Sequence, residues 1–313
     1  MKILITGGSG FIGSHLCEYL VKNNHQITIA IKNENKIKNI EHLTDKIEVV
    51  KIDVSNLIEI QNYLVNNKPD VIFHLAGNTS HQKSFEEPYE DIKSNSLSTL
   101  YILETLQKFE IKSRFILGST FIVIGKNANL PIDETSPCHP TTLYGAHRLL
   151  SEHYCQIYHE VYGIDSIIFR ITNSYGPREQ FETPSKNALN YMIYQAFKNQ
   201  KVTIYNEGKF FRDIIYISDV INALNIIMGK GVSGNLYWIA NGEKTWFYDL
   251  GTHLSDLTDA SIDYITPPKY NKKTDVGNFH VDNSKLRSLG WNPNIDLKEG
   301  IQKTIDYFKE NNL

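Results

Sequence analysis

The sequence predicts an α/β protein built on a doubly wound parallel sheet, with a smaller mixed α/β domain. Short apolar runs suited to buried strands alternate with helical patterns through the first half of the chain. A glycine-rich turn joins the first of these strands to the first helix. The pattern becomes less regular after Asn173, where Gly, Pro and aromatic residues interrupt it. We therefore expect one domain at 1–172 and a second, mainly at 173–313, with some segments returning to the first.

Six strands and four helices are predicted in the first domain from the period of the apolar residues. The strands are expected at 1–6, 26–31, 47–52, 69–77, 114–120 and 166–171. The helices are expected from Phe11, from Ser55 to Val65 with Ser55 as N-cap, from Pro88 to Phe109 and from Thr141 to Tyr162.

The glycine-rich turn has the spacing G-x-x-G-x-x-G at Gly7, Gly10 and Gly13. Gly7 permits the tight turn, Gly10 lets the backbone approach a pyrophosphate, and Gly13 lets the helix pack close to the strand. The helix N-terminus then presents free N–H groups and a partial positive charge. This stretch predicts a site for the phosphates of a dinucleotide.

Lys32 follows the second strand, where a dinucleotide-binding fold that prefers NAD usually carries an acidic residue. A carboxylate there repels a 2′-phosphate, whereas a lysine attracts one. The sequence therefore favours NADP(H) slightly over NAD(H). A solvated lysine without a role in cofactor choice is the alternative interpretation.

Composition excludes several classes of protein. The net charge of −3, without a long basic run, argues against nucleic acid as a partner. Met1 leads directly into a core strand and no apolar stretch is long enough to cross a bilayer, so we expect a cytoplasmic protein without a membrane partner. Cys17, Cys138 and Cys155 have neither disulfide nor zinc spacing, and no set of potential ligands predicts a metal site.

Several motifs occur together along the whole chain. Besides the glycine turn, they are Ser119-Thr120, Tyr144-x-x-x-Arg148, Asn173-Ser-Tyr-Gly-Pro-Arg178 and Arg212-Asp213-Ile-Ile-Tyr-Ile-Ser-Asp219. In this combination the chain resembles the extended short-chain dehydrogenase/reductase family, and within it the branch of nucleotide-sugar epimerases, dehydratases and reductases. The resemblance implies a Rossmann-type fold and a nucleoside-diphosphate sugar as substrate. It also implies a homodimer formed through the helices at 88–109 and 141–162.

Hydride transfer between a nicotinamide and a sugar carbon requires a group that moves a proton on or off the sugar oxygen. Tyr144 is our candidate for this acid/base, because a cation nearby favours the ionised form of a phenol. Thr120 matches the family's serine or threonine that holds the same oxygen, and Ser119 is the alternative. Either hydroxyl could instead bond to local backbone.

Arg148 departs from the family pattern, which is Tyr-x-x-x-Lys. In the family the lysine bonds to the nicotinamide ribose and acidifies the tyrosine. No lysine lies between Lys126 and Lys186, so a shift of register cannot supply it. Arginine keeps the charge permanently but is bulkier and planar, and we expect a working site with altered properties.

The resemblance assigns the remaining site residues by position. Those assigned to the cofactor, besides Lys32, Tyr144 and Arg148, are Gly7, Gly10, Phe11, Ile12 and Gly13 at the pyrophosphate, Asp53 and Val54 at the adenine, Leu75, Ala76 and Gly77 beneath the ribose-phosphate, and Asn95 nearby. Those assigned to the substrate, besides Thr120, are Asn173 and Arg212 at the diphosphate, Asn187 and Lys272 in the same region, and His81 in a loop over the sugar.

Three functions remain open from the sequence. Dehydratases of this family follow the strand-end hydroxyl with acidic residues, but here Phe121 and Ile122 follow it and cannot transfer a proton. We favour an NADPH-linked 4-keto-sugar reductase because of Lys32. An NAD-dependent 4-epimerase is the main alternative. A non-catalytic sensor of nucleotide sugars or dinucleotides, marked by Arg148, is the third.

Overall fold

A computed structural model describes residues 1–33, 37–126, 129–183, 187–266 and 276–313. The strands are β1 (Lys2–Thr6), β2 (Gln26–Ile31), β3 (Glu48–Lys51), β4 (Val71–His74), β5 (Arg114–Thr120), β6 (Ser166–Ile171), β7 (Asn173–Tyr175), β8 (Val202–Tyr205), β9 (Phe211–Arg212), β10 (Ile214–Tyr216), β11 (Leu236–Ile239), β12 (Thr245–Trp246) and β13 (Ile262–Ile265). The α-helices are α1 (Phe11–Lys22), α2 (Leu57–Asn67), α3 (His81–Glu86), α4 (Pro88–Ile92), α5 (Ser98–Lys108), α6 (Leu143–Tyr162), α7 (Ala188–Phe197), α8 (Ile217–Lys230), α9 (Phe247–Thr258), α10 (Ser284–Arg287) and α11 (Leu297–Glu310).

The central sheet has seven strands in the order β11-β6-β5-β4-β1-β2-β3, and every neighbouring pair is parallel. The chain runs outwards from β1 to β3, then returns to begin the other half of the sheet at β4. The carboxyl ends of β1 and β4 therefore meet at a topological switch point, where ligands bind in folds of this type. The predicted Rossmann-type α/β fold is confirmed.

Both faces of the sheet are covered, as the nearly continuous apolar runs of its strands require. Along β1, Ile3 and Ile5 pack into one hydrophobic core with Leu16 of α1, whereas Leu4 packs into the opposite core with Ile60 of α2. This alternation follows from the period of two in a strand. The two cores hold the strand ends that carry the site in fixed positions.

The start of α2 differs from the sequence prediction. Asn56, not Ser55, caps this helix, and its Oδ1 accepts hydrogen bonds from the N–H groups of Ile58 and Glu59. The Ser55 hydroxyl donates instead to Asp53 Oδ1 at 2.6 Å. A hydroxyl engaged in this local turn cannot serve as the cap, so the helix begins later than expected.

The long helix predicted at 88–109 is interrupted. A π-turn at Lys93–Leu97 separates α4 from α5 and contains the buried side chain of Asn95. The Asn95 Nδ2 donates to the carbonyl oxygen of Asn78 at 3.0 Å, which ties the turn to the loop after β4. Such bulges occur frequently at functional sites.

The segments after β6 build small ribbons beside the sheet and also return to it. β7 pairs with β10, β9 with β12, and β8 with β13, whereas β11 joins the central sheet next to β6. The domain boundary between residues 172 and 173 stays a prediction. Among the residues that the structure describes, no helix is both long and apolar enough to span a bilayer.

Candidate active site

The glycine-rich turn has the geometry that its sequence predicts. Gly7 has a φ of +74°, and a Cβ there would lie 2.8 Å from the amide nitrogen of Ala76. A Cβ on Gly13 would collide with the carbonyl oxygen of Gly7, so only glycine lets α1 pack this close to the loop. Gly10 is the N-cap of α1, and no side chain caps this helix start. The first N–H groups of the helix are therefore available to a phosphate.

The other residues predicted to contact the cofactor lie along the same edge of the sheet, because parallel strands all end there. Phe11 and Ile12 begin α1, Lys32 follows β2, Asp53 and Val54 follow β3, Leu75, Ala76 and Gly77 follow β4, and Asn95 lies in the π-turn.

Arg148 is buried without acceptors for part of its guanidinium. The side chain is 5% exposed, and its Nε and Nη1 have no hydrogen-bond partner among the described residues. A Cβ on Gly77 would lie 3.5 Å from Arg148 Cζ and Nη1, and it would also collide with Asn95 Oδ1, which is itself buried and unpartnered in the described structure. Burying donors and an acceptor without partners is costly. Their convergence at a glycine therefore fits a hydroxyl-rich ligand such as the ribose of a nicotinamide cofactor.

His74, at the end of β4, holds this edge together through a closed chain of hydrogen bonds. Ser98 Oγ donates to the Ser94 carbonyl at 2.7 Å, so His74 Nε2–H donates to Ser98 Oγ at 3.1 Å. His74 Nδ1 then accepts from Thr6 Oγ1 at 2.8 Å, and Thr6 Oγ1 accepts from the Ala76 N–H at 3.2 Å. Complete burial, with Arg148 nearby, lowers the pKa of His74 to about 3. A neutral imidazole therefore links β1, β4 and α5.

Tyr144 is the second residue of α6 and is 6% exposed. Arg148 lies one turn further along the same helix. The ring of His81, the first residue of α3, meets the Tyr144 ring edge to face, with centroids 5.5 Å apart. Burial lowers the pKa of His81, and Asp91 opposes this only in part, so the imidazole against Tyr144 is neutral at neutral pH.

The two hydroxyls at the end of β5 have different surroundings. Thr120 Oγ1 accepts from the Ile122 N–H at 3.3 Å, which leaves its own proton for donation. Ser119 Oγ instead donates to Glu152 Oε1 within the core. Glu152 is also paired with Arg170, whose Nη2 lies 2.7 Å from Oε2. This geometry favours Thr120 as the hydroxyl that faces a substrate.

Lys32 is paired with a carboxylate. Its Nζ lies 2.7 Å from Asp53 Oδ2, and Ser55 donates to the same carboxylate through both its hydroxyl and its N–H. Burial opposes ionisation of Asp53, but the hydrogen bonds from Lys32 and Ser55 outweigh it and hold its pKa below the usual value. The end of β2 thus faces an ionised acid that the following strand supplies.

Two of the residues assigned to the substrate lie on the small ribbons. Asn173 Nδ2 donates to the carbonyl oxygen of Asp213 at 3.2 Å. The guanidinium of Arg212 lies over the ring of Phe210, with Cζ 5.2 Å from the ring centroid. Arg212 Nη1 also donates to the Phe211 carbonyl at 3.0 Å. The guanidinium of Arg212 thus lies against the Phe210 ring, next to the ribbon of β9 and β12.

The remaining substrate assignments differ in what the structure says of them. Asn187 caps α7, where its Oδ1 accepts from the Asn190 N–H at 3.1 Å, and its Nδ2 donates to the Ser174 carbonyl at 2.9 Å. These bonds give Asn187 a structural role that the sequence analysis did not anticipate. Lys272 lies outside the described residues.

The sequence of this chain matches a family model that its description calls the NAD dependent epimerase/dehydratase family, over residues 3–240. The chain belongs to this family. It is therefore an enzyme of the NAD-dependent nucleotide-sugar epimerase/dehydratase group, and the resemblance inferred from its motifs is confirmed. Tyr144, Thr120 and Arg148 remain the predicted catalytic residues for such chemistry.

Several members of the family cover the chain from end to end. A putative UDP-glucose 4-epimerase of Methanocaldococcus jannaschii is 31% identical over 99% of each chain. A crystal structure of the UDP-glucose 4-epimerase of Thermotoga maritima, with UDP-glucose, has a TM-score of 0.91 and 29% identity, with full coverage of both chains. The UDP-glucuronic acid 4-epimerase of Bacillus cereus, in complex with UDP-glucuronic acid and NAD, has a TM-score of 0.86 and 27% identity over 99% of this chain and 100% of that one. Several dTDP-glucose 4,6-dehydratases match as well.

No motif of the sequence indicates the polar network that lies next to Tyr144, between α6 and α4. Asp91 is 1% exposed, and its carboxylate accepts from His147 Nδ1 at 2.7 Å and from Asn78 Nδ2 at 3.0 Å. Asp91 and His147 are 56 residues apart. Asp91 lies outside the motifs of the sequence, and His147 occupies an unspecified position of Tyr144-x-x-x-Arg148. Only the tertiary fold could have paired them.

No cluster of three potential metal ligands occurs within residues 1–33, 37–126, 129–183, 187–266 and 276–313. Of the three cysteines, Cys17 and Cys155 are buried and Cys138 is partly buried, and all are free thiols.

Proposed function

We propose that this protein is an NAD-dependent nucleotide-sugar 4-epimerase that interconverts UDP-glucose and UDP-galactose. The observation that carries the proposal is the pairing of one candidate acid/base, Tyr144, with one candidate donor hydroxyl, Thr120, followed by two apolar residues, Phe121 and Ile122. Removing and returning a single proton at O4 needs no further acid or base. The UDP-sugar epimerases among the relatives support the same assignment.

The cofactor site is assigned to the edge of the sheet at the switch point. The turn of Gly7, Gly10 and Gly13 would receive the pyrophosphate, and Arg148 with Asn95 would bond to the nicotinamide ribose, since their buried polar atoms lack acceptors and donors within the described residues. When bound, NAD supplies the two-electron acceptor and donor for the sugar carbon.

Tyr144 would take the proton from the sugar hydroxyl as the alcohol becomes a ketone, and return it when the alcohol is regenerated on the other face. Thr120 would donate its free O–H to the same oxygen and so hold it in place. The permanent charge of Arg148, one helical turn away, would stabilise the anionic form of the acid/base. His81 would exclude water from one side of the Tyr144 ring.

Phe121 argues against a dehydratase. Its ring packs against Phe279 with centroids 5.0 Å apart, and Ile122 beside it is buried. Water loss from a sugar requires a base to remove a proton from carbon and an acid to protonate the leaving hydroxyl. Neither residue can serve, although dehydratases also occur among the relatives.

The cofactor preference is assigned to NAD. The Lys32–Asp53 ion pair places a carboxylate where a 2′-phosphate would otherwise meet an unopposed lysine. Two solved 4-epimerases and a solved dTDP-glucose 4,6-dehydratase among the similar structures contain NAD. The NADPH-linked reductase favoured by the sequence therefore lacks support, and the epimerase alternative replaces it.

The substrate is assigned to the side of the sheet edge on which the segments after residue 172 form the small ribbons. Arg212 and Asn173 would bind the diphosphate, Asn187 would contribute only the second N–H of its Nδ2, since it also caps α7, and His81 would contact the sugar. Lys272 keeps its assignment as a second cation near the diphosphate. An anchored diphosphate leaves the sugar free to turn between the two hydride transfers.

A homodimer through α6 and the α4–α5 segment is also part of the proposal. Ile157, Val161 and Tyr162 on α6 are between 50% and 64% exposed. Burying such a stripe against its copy would remove apolar area from water. Sedimentation equilibrium of the purified protein would distinguish a dimer from a monomer.

The activity is tested by incubating the purified protein with UDP-galactose and no added reductant, and following UDP-glucose by chromatography. An epimerase converts the substrate to an equilibrium mixture and needs at most added NAD. A reductase would leave UDP-galactose unchanged but would oxidise NADPH in the presence of a 4-keto sugar. Binding of NAD or UDP without turnover of any sugar would instead support the sensor alternative and contradict the proposal.

A further inference from the structure

The side chain of Arg212 is held by an aromatic pair that no motif of the sequence singles out. β9 and β12 form an antiparallel ribbon in which Arg212 faces Thr245 and Phe211 faces Trp246. The ladder continues one step further, since the Phe247 N–H donates to the Phe210 carbonyl at 3.1 Å. Phe210 and Phe247 are therefore cross-strand neighbours.

Strand geometry decides which side chains share a face of this ribbon. Successive residues point to opposite faces, so Phe210 and Arg212 lie on one face and Phe211 on the other. Phe211 is 7% exposed and meets Trp246 edge to face on that second face, with centroids 5.0 Å apart. Phe210 and Phe247 are partly buried against the main hydrophobic core, and the Phe211 ring on the other face has its own cation, with Lys244 Nζ 5.3 Å from its centroid.

On the first face the two phenylalanine rings are stacked. Their centroids are 4.2 Å apart and their planes differ by 26°. Phe247 is the first residue of α9, so its ring is anchored at the start of a helix. The guanidinium of Arg212 lies over the Phe210 ring, with Cζ 5.2 Å from its centroid. The Phe210 ring therefore contacts both the Phe247 ring at the start of α9 and the Arg212 guanidinium.

The backbone beside Arg212 is fixed independently of this stack. The buried carboxylate of Asp213 accepts from the N–H groups of Asn241 at 2.8 Å, Gly242 at 3.0 Å and Val281 at 3.2 Å. With the backbone set, the remaining freedom is in the long side chain of Arg212. The hydrogen bond from Arg212 Nη1 to the Phe211 carbonyl restricts part of that freedom. The aromatic ring under the guanidinium restricts it further and uses none of its N–H donors.

We propose that Phe210, supported by Phe247, is a positioning residue for Arg212 and sets the affinity of the site for the diphosphate of its nucleotide-sugar substrate. The inference rests on the proposed function, since it takes Arg212 to be the diphosphate ligand. A guanidinium that is already oriented can bond two phosphate oxygens at once and loses less conformational freedom on binding. The aromatic pair touches the substrate only through Arg212.

The test compares Phe210→Leu with Phe210→Tyr and with Trp246→Leu. The leucine variant removes the π-face, the tyrosine variant keeps it, and the Trp246 variant removes an aromatic ring from the opposite face of the same ribbon. KM and kcat for UDP-galactose, and the Kd of UDP by calorimetry, are measured for each. Circular dichroism confirms that the variants are folded, and Phe247→Leu is the second variant if Phe210→Leu is not.

We expect Phe210→Leu to raise KM and the Kd of UDP by roughly 5- to 30-fold, as loss of a cation–π contact implies, with kcat within about twofold. Phe210→Tyr and Trp246→Leu should keep the values of the unchanged protein. If Phe210 only supported the fold, Phe210→Leu and Trp246→Leu would both lower kcat and thermal stability. An unchanged KM in Phe210→Leu would overturn the proposal.

A double-mutant cycle with Arg212→Ala decides how the ring acts. If Phe210 acts through Arg212, Phe210→Leu weakens UDP binding no further once the arginine is gone. An equal loss in both backgrounds would mean that the ring contacts the nucleotide itself, which contradicts the positioning role. If the unchanged protein neither binds UDP nor converts a UDP-sugar, the proposed function fails and the inference fails with it. Conversion with an unaffected Phe210→Leu variant sinks the inference alone.

Discussion

His147 Nδ1 donates to Asp91 Oδ2 across 2.7 Å, and this partly buried hydrogen bond joins α6 to α4, which the π-turn follows. The other oxygen of Asp91 accepts from Asn78, whose own Oδ1 accepts from the Ser80 N–H at 3.1 Å. The next residue along the chain is His81, which contacts the ring of Tyr144. One carboxylate thus fixes the loop that covers the proposed acid/base.

We expect Asp91→Asn to loosen this loop and to lower kcat by roughly 10-fold, because an amide cannot accept from both donors. The free energy of unfolding should fall by about 1 to 3 kcal/mol, the usual cost of an unsatisfied buried group. Urea unfolding and steady-state kinetics measure the two effects. Full activity together with reduced stability would show that the loop does not depend on Asp91.

Glu90→Gln is the matched control for this variant. Glu90 precedes Asp91 on α4, but its ion pair with Lys93 is on the surface. Exposed ion pairs contribute little to stability, so neither the unfolding curve nor kcat should change measurably.

The central sheet could be predicted closely because its strands are buried on both faces and stand out as apolar runs. The predicted bounds of β2, β5 and β6 agree with the structure to the residue. The π-turn at Lys93–Leu97 could not be foreseen, since it depends on Asn95 reaching the loop after β4. The predicted N-cap of α2 was wrong for a similar reason, because the carboxylate of Asp53 accepts a hydrogen bond from the Ser55 hydroxyl.

The cofactor edge of the candidate site was accessible from the sequence because glycine spacing and strand ends are local features. The tertiary contacts of those residues could not be predicted from the sequence. The ion pair of Lys32 with Asp53 joins two strand ends that are neighbours only in the folded sheet. The stack of Phe210 on Phe247 depends likewise on a ribbon whose strands are distant in sequence. Cofactor preference and substrate affinity depend on such pairs.

Thr120→Ala and Ser119→Ala should have opposite effects. Loss of the Thr120 hydroxyl removes a donor to the reacting oxygen, and we expect kcat to fall by roughly 100-fold with little change in stability. Loss of the Ser119 hydroxyl leaves Glu152 one donor short, which should cost about 1 to 3 kcal/mol of stability and leave kcat within about twofold. If Ser119→Ala abolishes turnover in a folded protein, the two roles have been assigned the wrong way round.

Two histidines, the fully buried His74 and the partly buried His15 of α1, predict how stability depends on pH. Burial lowers the pKa of His74 to about 3 and that of His15 to about 4, well below the value of 6.5 for an exposed imidazole. Each of these histidines binds more protons in the unfolded chain than in the folded one below pH 6.5. Its contribution to stability is complete above that pH and is lost, by about 1.4 kcal/mol per pH unit, as the pH falls towards its folded pKa, about 4 for His15 and about 3 for His74. Burial raises the pKa of Asp213 to about 7, so this carboxyl opposes one of the two histidines over the same range.

Urea unfolding between pH 7.5 and 4.5 measures this slope. His74→Asn should reduce the slope by about 1.4 kcal/mol per pH unit, because the proton linked to His74 is removed. It should also lower stability at neutral pH through the broken bonds to Thr6 and Ser98. His153→Asn, an exposed change on α6, should leave the slope intact. A slope that His74→Asn does not alter would mean that acid acts on other groups.

Arg148→Lys should retain turnover or raise it. Both side chains carry a cation one helical turn from Tyr144, and lysine is the residue that the family pattern has at this position. The ammonium is smaller than the buried guanidinium, whose Nε and Nη1 have no partner among the described residues, so the change creates space without removing charge.

Arg148→Met is the matched control, since it keeps a similar volume and loses the charge. We expect Arg148→Met to lower kcat by roughly 100-fold or more. Steady-state kinetics of the two variants, with NAD content measured for each, separate the contribution of charge from that of shape. If Arg148→Lys is inactive although it holds NAD, the planar fork of the arginine makes a contact that an ammonium cannot, and charge alone does not explain why this chain carries arginine here.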